Sequence, residues 1–133
     1  MGNYTFGNKS ISKLNEVHED LKKLMYEALK ASPIDFGISC GRRGIEEQNK
    51  LFKEGKTKCD GINIKSKHNY MPALAVDFYP YINGKASWDK VHLALVAGVI
   101  LATADKLGIN VRWGGTFGSK EFKGWDYPHI EKW

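Results

Sequence analysis

Ser66-Lys67-His68-Asn69-Tyr70-Met71-Pro72-Ala73-Leu74-Ala75-Val76-Asp77-Phe78-Tyr79-Pro80 is the stretch around which the rest of the chain is organised. From Leu74 to Tyr79 the residues alternate, so a strand there puts Leu74, Val76 and Phe78 on one face and Ala75, Asp77 and Tyr79 on the other. An acid in mid-strand needs water, a partner charge or a metal, because an unpaired buried carboxylate is costly. Small Ala75 leaves room beside it. At the far end, Trp125-Asp126-Tyr127-Pro128-His129-Ile130-Glu131 supplies a second histidine with a carboxylate three residues before it. His68, Asp77 and His129 make up the three-ligand set of an open catalytic zinc site, with a fourth position left for water. Asp126 is then the spare carboxylate that such a site uses as its base.

The chain around these residues has 133 positions, 42% of them hydrophobic, which suits one catalytic domain over residues 1–133 with a single core. Its net charge of +5 favours an anionic partner, whether nucleic acid, an acidic membrane face or a cell-wall polymer. Cys40 and Cys59 form no CxxC pair, which fits a reducing compartment. There is no basic segment followed by an apolar run at the N-terminus, so no signal peptide is expected. The apolar window from Val91 to Ala104 is too short to span a bilayer and carries His92, so no stable membrane insertion is expected.

Outward from the centre, the periodicity predicts a helix from Ser10 or Ser12 to about Ala31, with Leu14, Val17, Leu21, Leu24, Met25 and Leu29 as its buried stripe. His18 is expected at the surface. A strand over Asp35 to Ser39 feeds the turn Cys40-Gly41-Arg42-Arg43-Gly44 and a helix from Ile45 to about Lys53. Arginines in such a turn point into a cleft. A basic connector follows, with a short strand at Ile62 to Ile64. Asn83-Gly84 marks a turn. Ser87 caps a second long helix over Trp88 to Leu107, apolar nearly all round and so expected to be the central buried one, with His92 structural and Gly108 as C-cap. Strands over Ile109 to Trp113 and Tyr127 to Trp133 close the chain. This irregular alternation is α+β with a small antiparallel sheet, in which the strands at 72–80, 109–113 and 127–133 are neighbours and Asp77 and His129 share a face.

Four pieces taken together, Gly41-Arg42-Arg43 with Gln48, Ser66-Lys67-His68, Ala75-Val76-Asp77, and Trp125 to Glu131, resemble the LAS-type zinc peptidases in the same order over about 90 residues. That group comprises D-Ala-D-Ala carboxypeptidases and phage L-alanyl-D-glutamate endopeptidases of hedgehog-like fold. The compact phage endolysins are the nearest in form. The connection between His68 and Asp77 is longer than is common in the family, and a loop of that length still returns His68 to the metal. The resemblance implies Arg43 as the oxyanion-stabilising guanidinium, with Arg42 beside it. It also implies Ser66, Gln48 and Glu131 as substrate-binding or ligand-orienting groups. Peptidoglycan stem peptides would be the substrate, cut at the L-Ala-D-Glu bond by a monomer that waits in the host cytoplasm until released to the wall.

Other readings use other residues. A D-Ala-D-Ala carboxypeptidase has the same ligand set. Cys40, at a helix start beside two arginines, could pair with His68 or His129 as a cysteine peptidase, although Asp77 and Asp126 then have no task. A non-catalytic basic module would use Phe117, Phe122 and Trp125 with Lys120 and Lys123 as a stacking platform for nucleic acid or wall polymer. No nucleic-acid motif accompanies them, and nucleic acid is not expected as a partner.

Overall fold

The computed structural model describes residues 2–57, 59–117 and 126–133. In chain order the elements are α1 (Asn8–Leu14), α2 (Glu19–Ala31), β1 (Phe36–Cys40), α3 (Ile45–Lys53), β2 (Ala75–Ile82), β3 (Lys85–Ala86), α4 (Lys90–Leu107), β4 (Val111–Trp113) and β5 (His129–Lys132). The α+β class is as the sequence leads one to expect. The sheet is antiparallel with strand order β1-β2-β5-β4, and β3 hangs on the end of β2 as a hairpin.

The two faces of this sheet are chemically separate. Phe36, Ile38, Val76, Phe78, Trp113 and Ile130 point to one side, where all are buried against α2 and α4. Phe6, Phe36 and Phe78 continue that core as edge-on rings 5.6 and 6.2 Å apart. Register sets the other side: Asp77 lies opposite His129, Ala75 opposite Glu131, and Glu131 opposite Arg112. Among the described residues no helix covers that charged side.

Six local expectations are corrected. The first helix is broken at Asn15–His18, because Ala73 pairs with this segment: its N–H donates to the Glu16 carbonyl at 3.0 Å and its carbonyl accepts from His18 N–H at 2.9 Å. A tertiary contact thus overrides continuous helix periodicity. Half-buried His18 caps α2 through Nδ1, which accepts from Asp20 N–H at 3.1 Å. Ser10 lies inside α1, not at its start, and its buried hydroxyl accepts from the Ile38 N–H on β1 at 3.0 Å. Ile62 to Ile64 is no strand: Asp60 Oδ1 gathers the N–H groups of Ile62, Asn63 and Ile64 at 2.8–2.9 Å, an Asx-type turn. Asp89, rather than Ser87, caps α4, while the Ser87 hydroxyl bonds the His92 ring at 2.7 Å. The same helix buries only one side, Val91 standing 74% exposed, so it is not central. The last strand starts at His129 instead of Tyr127.

Candidate metal centre

Three side-chain atoms converge above the open face of the sheet. His68 Nε2 is 3.2 Å from Asp77 Oδ1 and 3.2 Å from His129 Nδ1, and His129 Nδ1 is 3.1 Å from Asp77 Oδ1. Asp77 and His129 owe this to direct cross-strand pairing of β2 and β5. His68 comes from a 3₁₀ turn, Lys67–Asn69, that hangs over the sheet. A reciprocal capping box builds the turn: Ser66 Oγ accepts the His68 backbone N–H, and Asn69 Oδ1 accepts the Ser66 N–H. Leu74 N–H donates to the Lys67 carbonyl at 2.9 Å and closes the long connection, so nine positions of sequence return His68 to within reach of Asp77.

The remaining ring nitrogens fix the orientation of each imidazole. His68 Nδ1 lies 2.7 Å from the Gly41 carbonyl, which can only accept, so Nδ1 carries a proton and Nε2 is the nitrogen left to ligate a metal once it is deprotonated. His129 Nε2 lies 2.8 Å from Glu131 Oε1, which leaves Nδ1 to face Asp77. Arg112 Nε in turn donates to Glu131 Oε2 at 2.7 Å, and the guanidinium is stacked between Phe117 and Trp133. The sequence names Ser66 as a substrate-binding or ligand-orienting group. It meets His68 only through the backbone, and the imidazole's partner is the Gly41 carbonyl.

Burial alone would lower the pKa of both histidines, but hydrogen bonding to Asp77 overrides it. His68 is pushed up to about 10, with help from Cys40, and His129 to about 9, with help from Glu131. The same bonds outweigh the burial of Asp77 and hold its carboxyl below the usual carboxylate range. Asp126 differs. Burial, then the charge of Asp77, raises its pKa. Its Oδ2 stands 3.7 Å from His129 Nδ1. Gly114 makes room for it, since a Cβ there would collide with the Asp126 backbone carbonyl.

Arg43 and Arg42 part company after β1. Arg42 is exposed, whereas Arg43 folds inward, with one terminal nitrogen 2.9 Å from Gln48 Oε1 and the other 4.0 Å from Asp77 Oδ2. Its buried Nε has no partner among the described residues. Fully buried Gln48 links this arginine to the connector by donating to the Cys59 carbonyl at 2.8 Å. The cleft over the three convergent atoms has a volume of about 570 Å³, and Lys56, Lys65, Lys67 and Arg112 give it a cationic rim.

A second cluster, Cys40 with His68 and Asp77, also falls within 4.8 Å. Cys40 Sγ, however, faces His68 Nδ1 at 3.8 Å, the nitrogen already committed to Gly41. The thiol therefore meets the ring on its Gly41 side, whereas Asp77 and His129 meet it at Nε2. Of the aromatic platform named from sequence, Phe117 lies at the site, 5.6 Å from the His129 ring. Lys120, Phe122, Lys123 and Trp125 lie outside the described residues.

Comparison with known proteins settles the family. The family model described as phage L-alanyl-D-glutamate peptidase matches residues 2–132. The chain belongs to this family. It is 32% identical over 112 residues to the L-alanyl-D-glutamate peptidase of Escherichia phage T5, covering 84% of this chain and 80% of that one. It is 36% identical over 120 residues to the peptidoglycan L-alanyl-D-glutamate endopeptidase CwlK of Bacillus subtilis, covering 79% and 67%. Among solved structures, the Serratia marcescens L-Ala D-Glu endopeptidase ChiX superposes with a TM-score of 0.82 at 26% identity, over 98% of this chain and 92% of that one. The fold and family implied by the sequence motifs agree with these matches.

Sequence reasoning assigned no role to Gly41, Asn69 or Arg112. Gly41 acts through a carbonyl and left no side-chain signal. Arg112 had one, since alternation in Val111-Arg112-Trp113 sets it opposite the buried Trp113 and on the face of Glu131.

Proposed function

We propose that this protein is a zinc endopeptidase that hydrolyses the L-Ala-D-Glu bond of peptidoglycan stem peptides. The observation that carries the reading is the triangle of His68 Nε2, Asp77 Oδ1 and His129 Nδ1, with edges of 3.1–3.2 Å. Ligands at zinc distances of 2.0–2.1 Å in a tetrahedron stand about 3.3–3.4 Å apart, so the three atoms fit that ion with little adjustment. Each histidine also gives its other N–H to an oxygen, the arrangement that orients zinc-bound imidazoles. Zinc held by these three side chains would supply Lewis acidity and make water a nucleophile near neutral pH.

The chain's own residues do the rest. Asp126, with its raised pKa, takes a proton from the attacking water and returns it to the leaving amine. Arg43, positioned by Gln48, stabilises negative charge that develops on the peptide oxygen. Glu131, itself held by Arg112, keeps His129 in the ligating tautomer. The lysines at the rim suit a substrate with free carboxylates, such as a stem peptide. The names of the relatives favour the L-Ala-D-Glu bond over D-Ala-D-Ala. A thiol mechanism is disfavoured by Cys40, whose sulfur faces the committed nitrogen of His68.

The protein would work as a phage endolysin, a monomeric catalytic unit over residues 1–133 held in the host cytoplasm until released to the wall. Its helices and strands share one core, and no helix among the described residues is long and apolar enough to cross a membrane. Mass spectrometry of digested peptidoglycan tests the reading. New D-Glu amino termini should appear, vanish with a strong chelator and return with zinc, and His68→Ala should lose zinc and cleavage together. Cleavage at D-Ala-D-Ala, or full activity in chelator, would overturn it.

A further inference from the structure

The open face of β2 continues past Asp77. Tyr79 and Tyr81 project from the same side, about 7 and 14 Å further along the strand, and the hydrolytic site uses neither. Their hydroxyls are 2.8 Å apart, and their rings meet edge-on at 5.1 Å. Trp88, 56% exposed, tilts against Tyr79 with centroids 5.7 Å apart. On the neighbouring strand, Gly37 lies under Tyr79. A Cβ there would stand 2.9 Å from the phenol ring and hydroxyl, so the missing side chain lets the ring lie across the sheet. Beside it, Asp35 Oδ1 is buried and has no hydrogen-bond partner among the described residues. Two adjoining clefts of about 700 and 390 Å³ open here, and Asp35 and Tyr81 line both.

Half-exposed rings with polar edges beside a carboxylate residue, Asp35, that lines both clefts match a carbohydrate, whose C–H faces stack on π-faces while its hydroxyl and acetamido groups donate to phenol and carboxylate oxygens. The carboxylate disfavours a phosphate backbone. We propose that this ledge binds the glycan strand of peptidoglycan, a chain of β-1,4-linked N-acetylhexosamines, while the attached stem peptide enters the metal centre. The identity of the polymer rests on the peptidase reading above. In peptidoglycan the L-Ala-D-Glu bond is one residue and a short lactyl arm from the sugar. Two such units extended span about 7 Å, the separation of Tyr79 from Asp77, and the next sugar falls towards Tyr81 and Trp88.

The test uses peptide-free glycan strands and the full chain carrying Asp126→Asn, so that binding is read without turnover. NMR shifts should cluster at Tyr79, Tyr81 and Trp88. Adding Tyr81→Ala with Trp88→Ala should weaken binding about tenfold, the loss expected for one or two ring contacts. In the otherwise wild-type chain the same pair should raise KM on intact wall about tenfold and leave kcat/KM on a sugar-free L-Ala-D-Glu peptide unchanged. That peptide rate also reports that the variant is folded. Glycan binding without these shifts, no binding, or wild-type KM on wall for the double variant would each overturn the ledge. A chain that binds glycan here but cuts no L-Ala-D-Glu bond would overturn the peptidase reading and leave the ledge standing.

Discussion

Asp77 and Phe78 are adjacent in sequence and sit in different worlds. Phe78 faces the helices, fully buried, in edge-on contact with Phe36. Asp77 faces the cleft and is held by two imidazoles. One strand therefore carries stability on one side and chemistry on the other, because side chains alternate at every residue. A one-residue slip of β2 would exchange the two sets. The bulge between Ile38 and Cys40 lies in β1, so the register of β2 against β5 is kept intact where the site needs it.

Substitutions on the two sides should separate cleanly, and the largest expected effect is on the open one. Asp126→Asn should retain zinc and melting temperature while turnover falls by about 10²–10⁴. Loss of zinc in that variant would make Asp126 a ligand. Arg43→Ala should cost about 10²–10³ in turnover at every ionic strength, whereas Arg42→Ala, at an exposed position, should give a small change that disappears in salt. The reverse pattern across a salt series on purified wall would exchange their roles.

On the core side, Phe78→Ala should lower unfolding free energy by about 3–5 kcal/mol, measured by urea titration of the zinc-loaded protein. Turnover of the fraction that stays folded should change little. A large fall in turnover per folded molecule would mean the two faces are coupled through the strand.

The smallest effect is in pH. In metal-free protein His68 and His129 have pKa values raised to about 10 and about 9, so their bond to Asp77 stabilises the fold fully below about 6.5, the unfolded value, and is lost as pH rises through the folded values. Zinc requires the deprotonated rings, so its stabilisation grows over the same window. At a hundredfold excess over Kd it contributes about 2.7 kcal/mol. Thermal melts from pH 6 to 9.5 should therefore diverge, with the chelated protein losing stability and the zinc-loaded protein gaining on it. Parallel curves would mean that protons and zinc do not compete for these rings.

Much of this division was legible in the chain. Alternation from Leu74 to Tyr79 gave the face of Asp77, and the spacing of Asp126 and His129 brought both to the same cleft. Arg43, Gln48 and Glu131 also lie there. Periodicity failed where long-range contacts compete with local preference. The helical stripe through Val17 continues on paper but is interrupted by Ala73, more than 50 positions away. The apolar girth of α4 suggested a buried helix, whereas among the described residues one side of it packs and Val91 and Leu95 stand exposed. Caps were misread because Ser10, Ser87, Asp89 and His18 can all serve, and which one does depends on where neighbouring strands run.

The two imidazoles of the centre differ in how they can be altered. His129 is steadied by a side chain, Glu131, which is itself steadied by Arg112, so its hold can be graded by changing either residue. His68 is steadied by the carbonyl of Gly41, which no substitution removes. Nor can that position be exchanged freely, since a Cβ on Gly41 would stand 2.6 Å from the Lys13 carbonyl oxygen. A designer seeking to tune metal affinity thus has one adjustable arm and one soldered joint. The α1 backbone, by crowding Gly41, is part of the soldering.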